Sequence, residues 1–438
     1  MTRVRWRIIA LLVVASFVAY LLRTNMSIAG ERVMADLGLT RIQLGFVLAA
    51  FAWGYALFQF PGGVYGERTG GRRALTWMAV AWGVLNLLVG LLPAVGSAVP
   101  LLGVLVALRF LMGATQAPLF PVTGGGVVYH WFPFASWALP NALMNVGLTF
   151  GAAAAGPLIA WLAQTVGWRA SFVLTSPLAF AVAGAWWWYA RDRPAEHPSV
   201  SPAELELINA GRPESAPAAP GSWRQALRDR NLLLIAASYF CSNYVFYFFF
   251  NWLYIYLVDV RGFTVLEGGW LSAVPWIVGA GGAFAGGMLS DRMARRYGLR
   301  VGYRIPGVVG LTATAALLLA AAGAGNPYLA VLLLSLCLFF QQITEGPFWA
   351  AAVAVSGKHA STGCGIMNTG GNIVGGVGAL LVPLTAERLG WVPALGTASM
   401  FALVGAALWL LIRPDEQLEQ AERVPAAGPS TGAFADKP

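Results

Sequence analysis

Three Arg, Lys, Asp or Glu side chains fall well inside long apolar stretches of this 438-residue chain: Arg23, Arg109 and Glu345. A charge at the centre of a membrane-crossing helix costs about 2.5–3.5 kcal/mol on insertion scales, so such residues are read as functional by default. Arg23 stands in Tyr20-Leu-Leu-Arg23-Thr-Asn25-Met-Ser27, and Ser16, Tyr20, Arg23 and Ser27 fall on one stripe of a helix that is otherwise apolar. That stripe must face protein or water, because hydrocarbon cannot solvate it. No acid lies near Arg23 in sequence to neutralise it. The chemistry on offer is capture of an anion, and a guanidinium fork matches a carboxylate.

Other polar side chains in apolar stretches repeat at helical spacing. Tyr55 and Gln59 are four apart, as are Asn141, Asn145 and Thr149, and Arg109 shares a face with Gln116 and Phe120. In the second half, Asn243, Tyr247, Asn251 and Tyr254 form one series, and Asn368 and Asn372 another. Amides and phenols suit hydroxyl groups. Each could instead bond across a helix interface, and Arg109 could brace its own helix by bonding neighbouring carbonyls. Gly371, Gly375 and Gly376 read as helix-packing positions.

The elements that must position these groups follow from composition. Of the residues, 58% are hydrophobic and only 11% charged, with 52 Gly and 18 Trp, where a soluble chain carries about 25% charge. Twelve apolar stretches of about 18–27 residues are each long enough to cross about 30 Å of hydrocarbon. They begin near Ile8, Gln43, Ala74, Pro100, Trp137, Ala170, Leu232, Gly268, Ile305, Tyr328, Ser361 and Trp391. The expectation is an all-α integral membrane protein. Arg3, Arg5 and Arg7 precede an apolar segment too long for a signal core and without a small-residue cleavage site, so no cleavable leader is expected.

With both termini inside, 21 of the 28 Lys and Arg lie in inner segments, 5 in outer loops and 2 within helices, which predicts cytoplasmic termini and a plasma-membrane location. The formal charge of +9 follows from this bias and does not point to nucleic acid. Cys241, Cys337 and Cys364 lie in apolar stretches, so no disulfide framework, metal site or cofactor is expected. His130, His197 and His359 are scattered and read as solvated loop residues. No nucleophile–base pair suggests an enzyme, and nothing asks for more than a monomer.

The stretch Gly63-Val-Tyr-Gly-Glu67-Arg68-Thr-Gly70-Gly-Arg72-Arg73 is matched by Gly287-Met-Leu-Ser-Asp291-Arg292, with its acid 224 residues later. The first and seventh apolar stretches share that offset, so the chain reads as six helices duplicated. This loop, present at both equivalent places, resembles the signature of the major facilitator superfamily, with Glu67 for the usual Asp. The resemblance implies two six-helix bundles. We place them at residues 1–190 and 232–412, with a cytoplasmic linker at 191–231 and a tail from 413. Within the linker, Ser201 should cap a short polar helix. The tail reads as polar and then Pro/Gly/Ala-rich, without a packed core. Gly63, Glu67, Arg68, Gly70, Arg72, Asp291 and Arg292 are expected to act as a conformational lock, an acid capping a neighbouring helix or pairing with Arg across the seam.

More locally, Arg23-x-Asn-x-Ser, Ala52-Trp-Gly-Tyr55-x-x-x-Gln59-x-Pro-Gly-Gly63 and Gly113-Ala-Thr-Gln116-Ala-Pro118 resemble the anion:cation symporter family. So do Trp131-Phe132-Pro133, Gly167-Trp168-Arg169 and Asn368-x-x-Gly-Asn372. The resemblance implies a carrier of sugar acids or small hydroxy-carboxylates. Tyr20, Arg23, Tyr55, Gln116, Asn145, Thr149, Asn243, Asn251, Asn368 and Asn372 are then expected to bind substrate, with Arg23 on the carboxylate. Two positions depart from the family. Leu22 and Gln116 stand where its proton-coupling acids belong, and neither can titrate. Glu345, with Arg109, becomes the candidate coupling pair. Glu345 could carry a proton, serve as counter-ion to either arginine, or act in a uniporter or exchanger that moves none. Aromatic or dicarboxylic acids, and a transport-dead anion sensor, are the alternatives.

Overall fold

The computed structural model describes residues 2–93, 98–210 and 226–416. The Ala/Pro/Ser run of the linker and nearly all of the tail lie outside the described residues. The first repeat consists of α1 (Val4–Leu37), α2 (Arg41–Thr69), α3 (Gly71–Gly90), α4 (Ala98–Gln116), α5 (Ala138–Thr165) and α6 (Trp168–Tyr189). After the linker helix α7 (Pro202–Asn209) come α8 (Arg230–Asn251), α9 (Val265–Tyr297), α10 (Leu299–Gly323), α11 (Pro327–Ile343), α12 (Glu345–Ser356), α13 (Ala360–Leu389) and α14 (Trp391–Leu411). Among the described residues, eleven helical stretches are long and apolar enough to cross a membrane. One of them, Pro327–Leu389, is 63 residues long and reverses at the 3-10 turn Gly357–His359, so it makes two passes.

The helices are built as their sequences dictate. Thr40 and Gln43 form a capping box at the start of α2, as do Thr264 and Glu267 at α9. Ser201 accepts from the Glu204 N–H at the start of α7, as expected. Four sharp corners need glycine. Gly70, Gly167, Gly298 and Gly390 have φ of 81°, 88°, 85° and 92° with ψ near 160°, a region essentially closed to side chains. They join α2 to α3 and α5 to α6 in one repeat, and α9 to α10 and α13 to α14 in the other. The duplication is thus written in the backbone as well as in the loop motif.

Packing repeats in the same way. In the first repeat α1 packs on α5, α2 on α4 and α3 on α6, and in the second α8 packs on α13, α9 on α11 and α10 on α14. The two sets meet along α2–α13 and α5–α9. After Gln116 the fourth pass breaks at Pro118 and continues through a π-helical segment, Val122–Val128, in which Gly125 and Gly126 lie against α13. Gly125 has no room for a Cβ, which would stand 2.2 Å from the Ala360 carbonyl carbon.

Two histidines differ from their reading as solvated residues. His197 is buried against Trp131 and Tyr189 because the linker folds back on the first repeat. His359 sits at the seam with its Nδ1 3.0 Å from Glu67 Oε2.

Candidate functional site

A cavity of about 470 Å³ lies between the two repeats, walled by α1, α2 and α5 on one side and by α8, α9, α12 and α13 on the other. Arg23 lines it. The Arg23 guanidinium carbon is 4.6 Å from the centre of the Tyr55 ring, 4.9 Å from Phe51 and 5.1 Å from Tyr20. Its Nη1 donates to the Tyr20 hydroxyl at 3.2 Å. Aromatic faces stabilise a desolvated cation without neutralising it. Among the described residues no carboxylate pairs with Arg23.

Arg109 lies behind this cation and does not line the cavity. It is 3% exposed, donates from Nη2 to the Arg23 carbonyl at 3.3 Å, and stands 4.8 Å from the same Phe51 ring. It therefore braces α1 at the level of Arg23. Gln116, expected at the site, is also buried outside the lining. Its amide donates to the Ala19 carbonyl at 3.1 Å, so its polar end is engaged by α1. Asn251 is exposed at the last position of α8 and does not line the cavity, although its neighbour Phe250 does.

The remaining expected residues come together. Tyr20, Tyr55, Asn145 and Thr149 line one wall, and Asn243, Glu345, Asn368 and Asn372 the other. Glu345, 4% exposed at the start of α12, accepts from the Tyr239 hydroxyl at 3.2 Å and the Gln341 amide at 3.4 Å. It pairs with neither arginine. The second wall also contains Tyr239, Tyr247, Phe246, Phe250, Trp276 and Trp349, which the sequence reading left out of the site. One signal was available: Tyr239, Asn243 and Tyr247 recur every fourth residue along α8. The α13 glycines seat these rings. A Cβ on Gly371 would stand 2.6 Å from Tyr239, and one on Gly375 2.6 Å from Tyr247.

Below the cavity, on the side of both termini, the seam is closed by two equivalent caps. Glu67 accepts from the Thr362 N–H at 2.8 Å, in the first turn of α13. Asp291 accepts from the Ala138 and Leu139 N–H groups at 2.8 and 3.1 Å, in the first turn of α5. Positions 67 and 291, and positions 138 and 362, are each 224 apart. Each carboxylate meets orphan donors at the positive end of a helix of the opposite repeat. Gly63 lets the backbones close, since a Cβ there would lie 2.3 Å from the Ser361 carbonyl oxygen. Arg68 and Arg292 are exposed beside these caps. Arg72 does not reach the seam. Its guanidinium donates to the Trp187 carbonyl and lies 4.2 Å over that ring, and its N–H donates to Asp192, so it ties α3 to α6 within one repeat. Gly70 turns beside the same Asp192.

A family model described as Major Facilitator Superfamily matches residues 12–303. The chain belongs to that superfamily. Members are membrane transporters and not enzymes. Among curated relatives, the chain is 30% identical over 417 residues to the probable sulfoacetate transporter SauU of Cupriavidus necator, covering 94% of each chain. It is 31% identical over 386 residues to the probable galactarate/D-glucarate transporter GudP of Bacillus subtilis, covering 85% of this chain and 83% of that one. Among solved structures, the superfamily transporter FucP in its outward conformation aligns with a TM-score of 0.70 at 16% identity, covering 94% of this chain and all of that one. At that identity the structural likeness speaks for the fold alone.

Proposed function

We propose that this superfamily member carries a small organic acid anion, a sugar acid or related hydroxy-carboxylate, across the bacterial inner membrane by alternating access. The observation that carries the reading is Arg23, a cation in the cavity wall with aromatic faces around it and no carboxylate beside it. A substrate carboxylate supplies the missing charge. Tyr20 and Tyr55 border that pole, and Asn145, Thr149, Asn243, Asn368 and Asn372 surround the body of the ligand. The relatives named for galactarate/D-glucarate and sulfoacetate support an anionic substrate.

With the termini in the cytoplasm, as the Lys and Arg distribution favours, the Glu67 and Asp291 caps seal the cytoplasmic side and the cavity faces outward. Rocking the two repeats about the cavity breaks those caps and admits the substrate to the cell. Glu345, the carboxyl of the cavity lining among the described residues, is our candidate for any coupled proton. Substrate-driven proton uptake in liposomes should fall at least tenfold in Glu345→Gln, and unchanged flux would remove it from that role. The central test is a thermal-shift screen of the purified protein with sugar acids and sulfoacetate. Stabilisation that vanishes in Arg23→Ala is expected, and the reading fails if no anion stabilises the protein through Arg23.

A further inference from the structure

The cavity has two unlike ends, and the second decides which anions fit. Arg23 is its one lining cation among the described residues, because Arg109 is turned to the Arg23 carbonyl and excluded from the lining. Across the cavity the charged group is Glu345, an acid. The polar side chains around it are already engaged with one another. Tyr239 donates to Glu345 and Asn243 to the Tyr239 carbonyl, while Tyr247, which also reaches the Arg23 guanidinium, donates to Asn372 at 3.0 Å. Asn372 donates to Asn368, and Asn368 to Gln59 at 2.7 Å. What remains of that wall is aromatic: Phe246, Phe250, Trp276 and Trp349.

We propose that Glu345 is a charge-selecting residue, so that the site takes monoanions whose far end is an uncharged hydrogen-bond donor and rejects dianions. The inference rests on the reading of Arg23 as the carboxylate site. A ligand anchored there by one carboxylate points its other end at Glu345 and the rings. A terminal hydroxyl can donate to the Glu345 carboxylate, where Tyr239, Gln341 and Trp349 occupy three of its roughly four lone-pair sites. A second carboxylate finds no cation and, while Glu345 is ionised, a like charge in a poorly solvated wall, an arrangement that discriminates against the wrong partner. This would set the protein apart from relatives named for galactarate, D-glucarate and sulfoacetate, each of which is a dianion with an anionic group at either end.

Matched six-carbon acids isolate the far end, since D-galactonate and galactarate, or D-gluconate and D-glucarate, differ only in whether it is a hydroxymethyl or a carboxylate group. Binding of each pair to the purified full-length protein at pH 8 should favour the monocarboxylate by at least tenfold, and Glu345→Gln should narrow the ratio to within threefold. The wild-type ratio alone tests the idea even if the variant folds poorly. A dicarboxylate bound as well as its monocarboxylate partner, or a ratio unchanged in a folded Glu345→Gln, overturns charge selection and leaves the Arg23 site standing. If no member of either pair binds and no other anion binds through Arg23, the carrier reading falls and this inference with it.

Discussion

Replacing Asp291 with Ala should open the terminus-bearing side of the seam. The Asp291 carboxylate accepts from two orphan N–H groups at the start of α5, and it is buried, so nothing in the closed state takes its place. Losing a helix cap costs about 0.5–2 kcal/mol, and an anion in favourable partly buried geometry at a helix N-terminus contributes up to about 2 kcal/mol. Taking about 1–2 kcal/mol as the loss, the ratio of closed to open molecules falls by a factor of about 5–30. The substitution removes interactions of the closed state only, because rocking separates α9 from α5. Spin labels on the exposed positions Arg68 and Lys358 flank the other cap, that of Glu67. Their distance distribution should gain a long component in Asp291→Ala, because two rigid repeats cannot open one cap and keep the other. Asp291→Asn retains one acceptor and should fall between. An unchanged distribution in Asp291→Ala would refute both the capping role and the rigid-body coupling of the two seams.

Two further outcomes follow from other parts of the structure. Gly63→Ala places a Cβ 2.3 Å from the Ser361 oxygen, so the closed state should be lost while the helices still fold. Counterflow should drop at least tenfold, with circular dichroism unchanged. At the other end of the molecule, the linker helix docks onto α1 through Glu204, which accepts from the Thr2 hydroxyl and the Val4 and Arg5 N–H groups. Burial alone would raise the Glu204 carboxyl, but those hydrogen bonds and the Arg5 guanidinium hold it below its ordinary value. A carboxyl lowered by folding stabilises above its unfolded value and loses that contribution as pH falls through the folded one. The protection of the Val4 and Arg5 amides, measured against their intrinsic exchange rate at each pH, should therefore be high at neutral pH and fall in acid below the ordinary carboxylate range. Glu204→Gln should show low protection at both.

Much of this architecture could be read without coordinates, because a bilayer leaves a chain few options. Twelve apolar stretches, a 224-residue offset and an isolated Arg23 required a duplicated helical membrane protein with a cation on an inward face. The acids at 67 and 291 were legible as seam residues for the same reason, though not their partners. A carboxylate signals its own presence in a sequence, whereas the N–H groups of Thr362, Ala138 and Leu139 belong to any residue type.

Which polar side chains face the cavity was settled only by tertiary structure. Helical periodicity places Gln116 with Arg109 and Asn251 with Asn243, but it cannot say where a neighbouring carbonyl waits or where the cavity ends. Gln116 is engaged by the Ala19 carbonyl and Arg109 by that of Arg23. Asn251 is exposed and outside the lining, while its neighbour Phe250 takes a place in the wall. Conversely, Tyr239 and Tyr247 enter the wall because glycines on α13, a distant stretch of chain, leave room for their rings. The charge of Arg23 was determined by sequence alone. Its freedom from a carboxylate partner, with Glu345 held instead by Tyr239 and Gln341 across the cavity, was decided by how the two repeats pack.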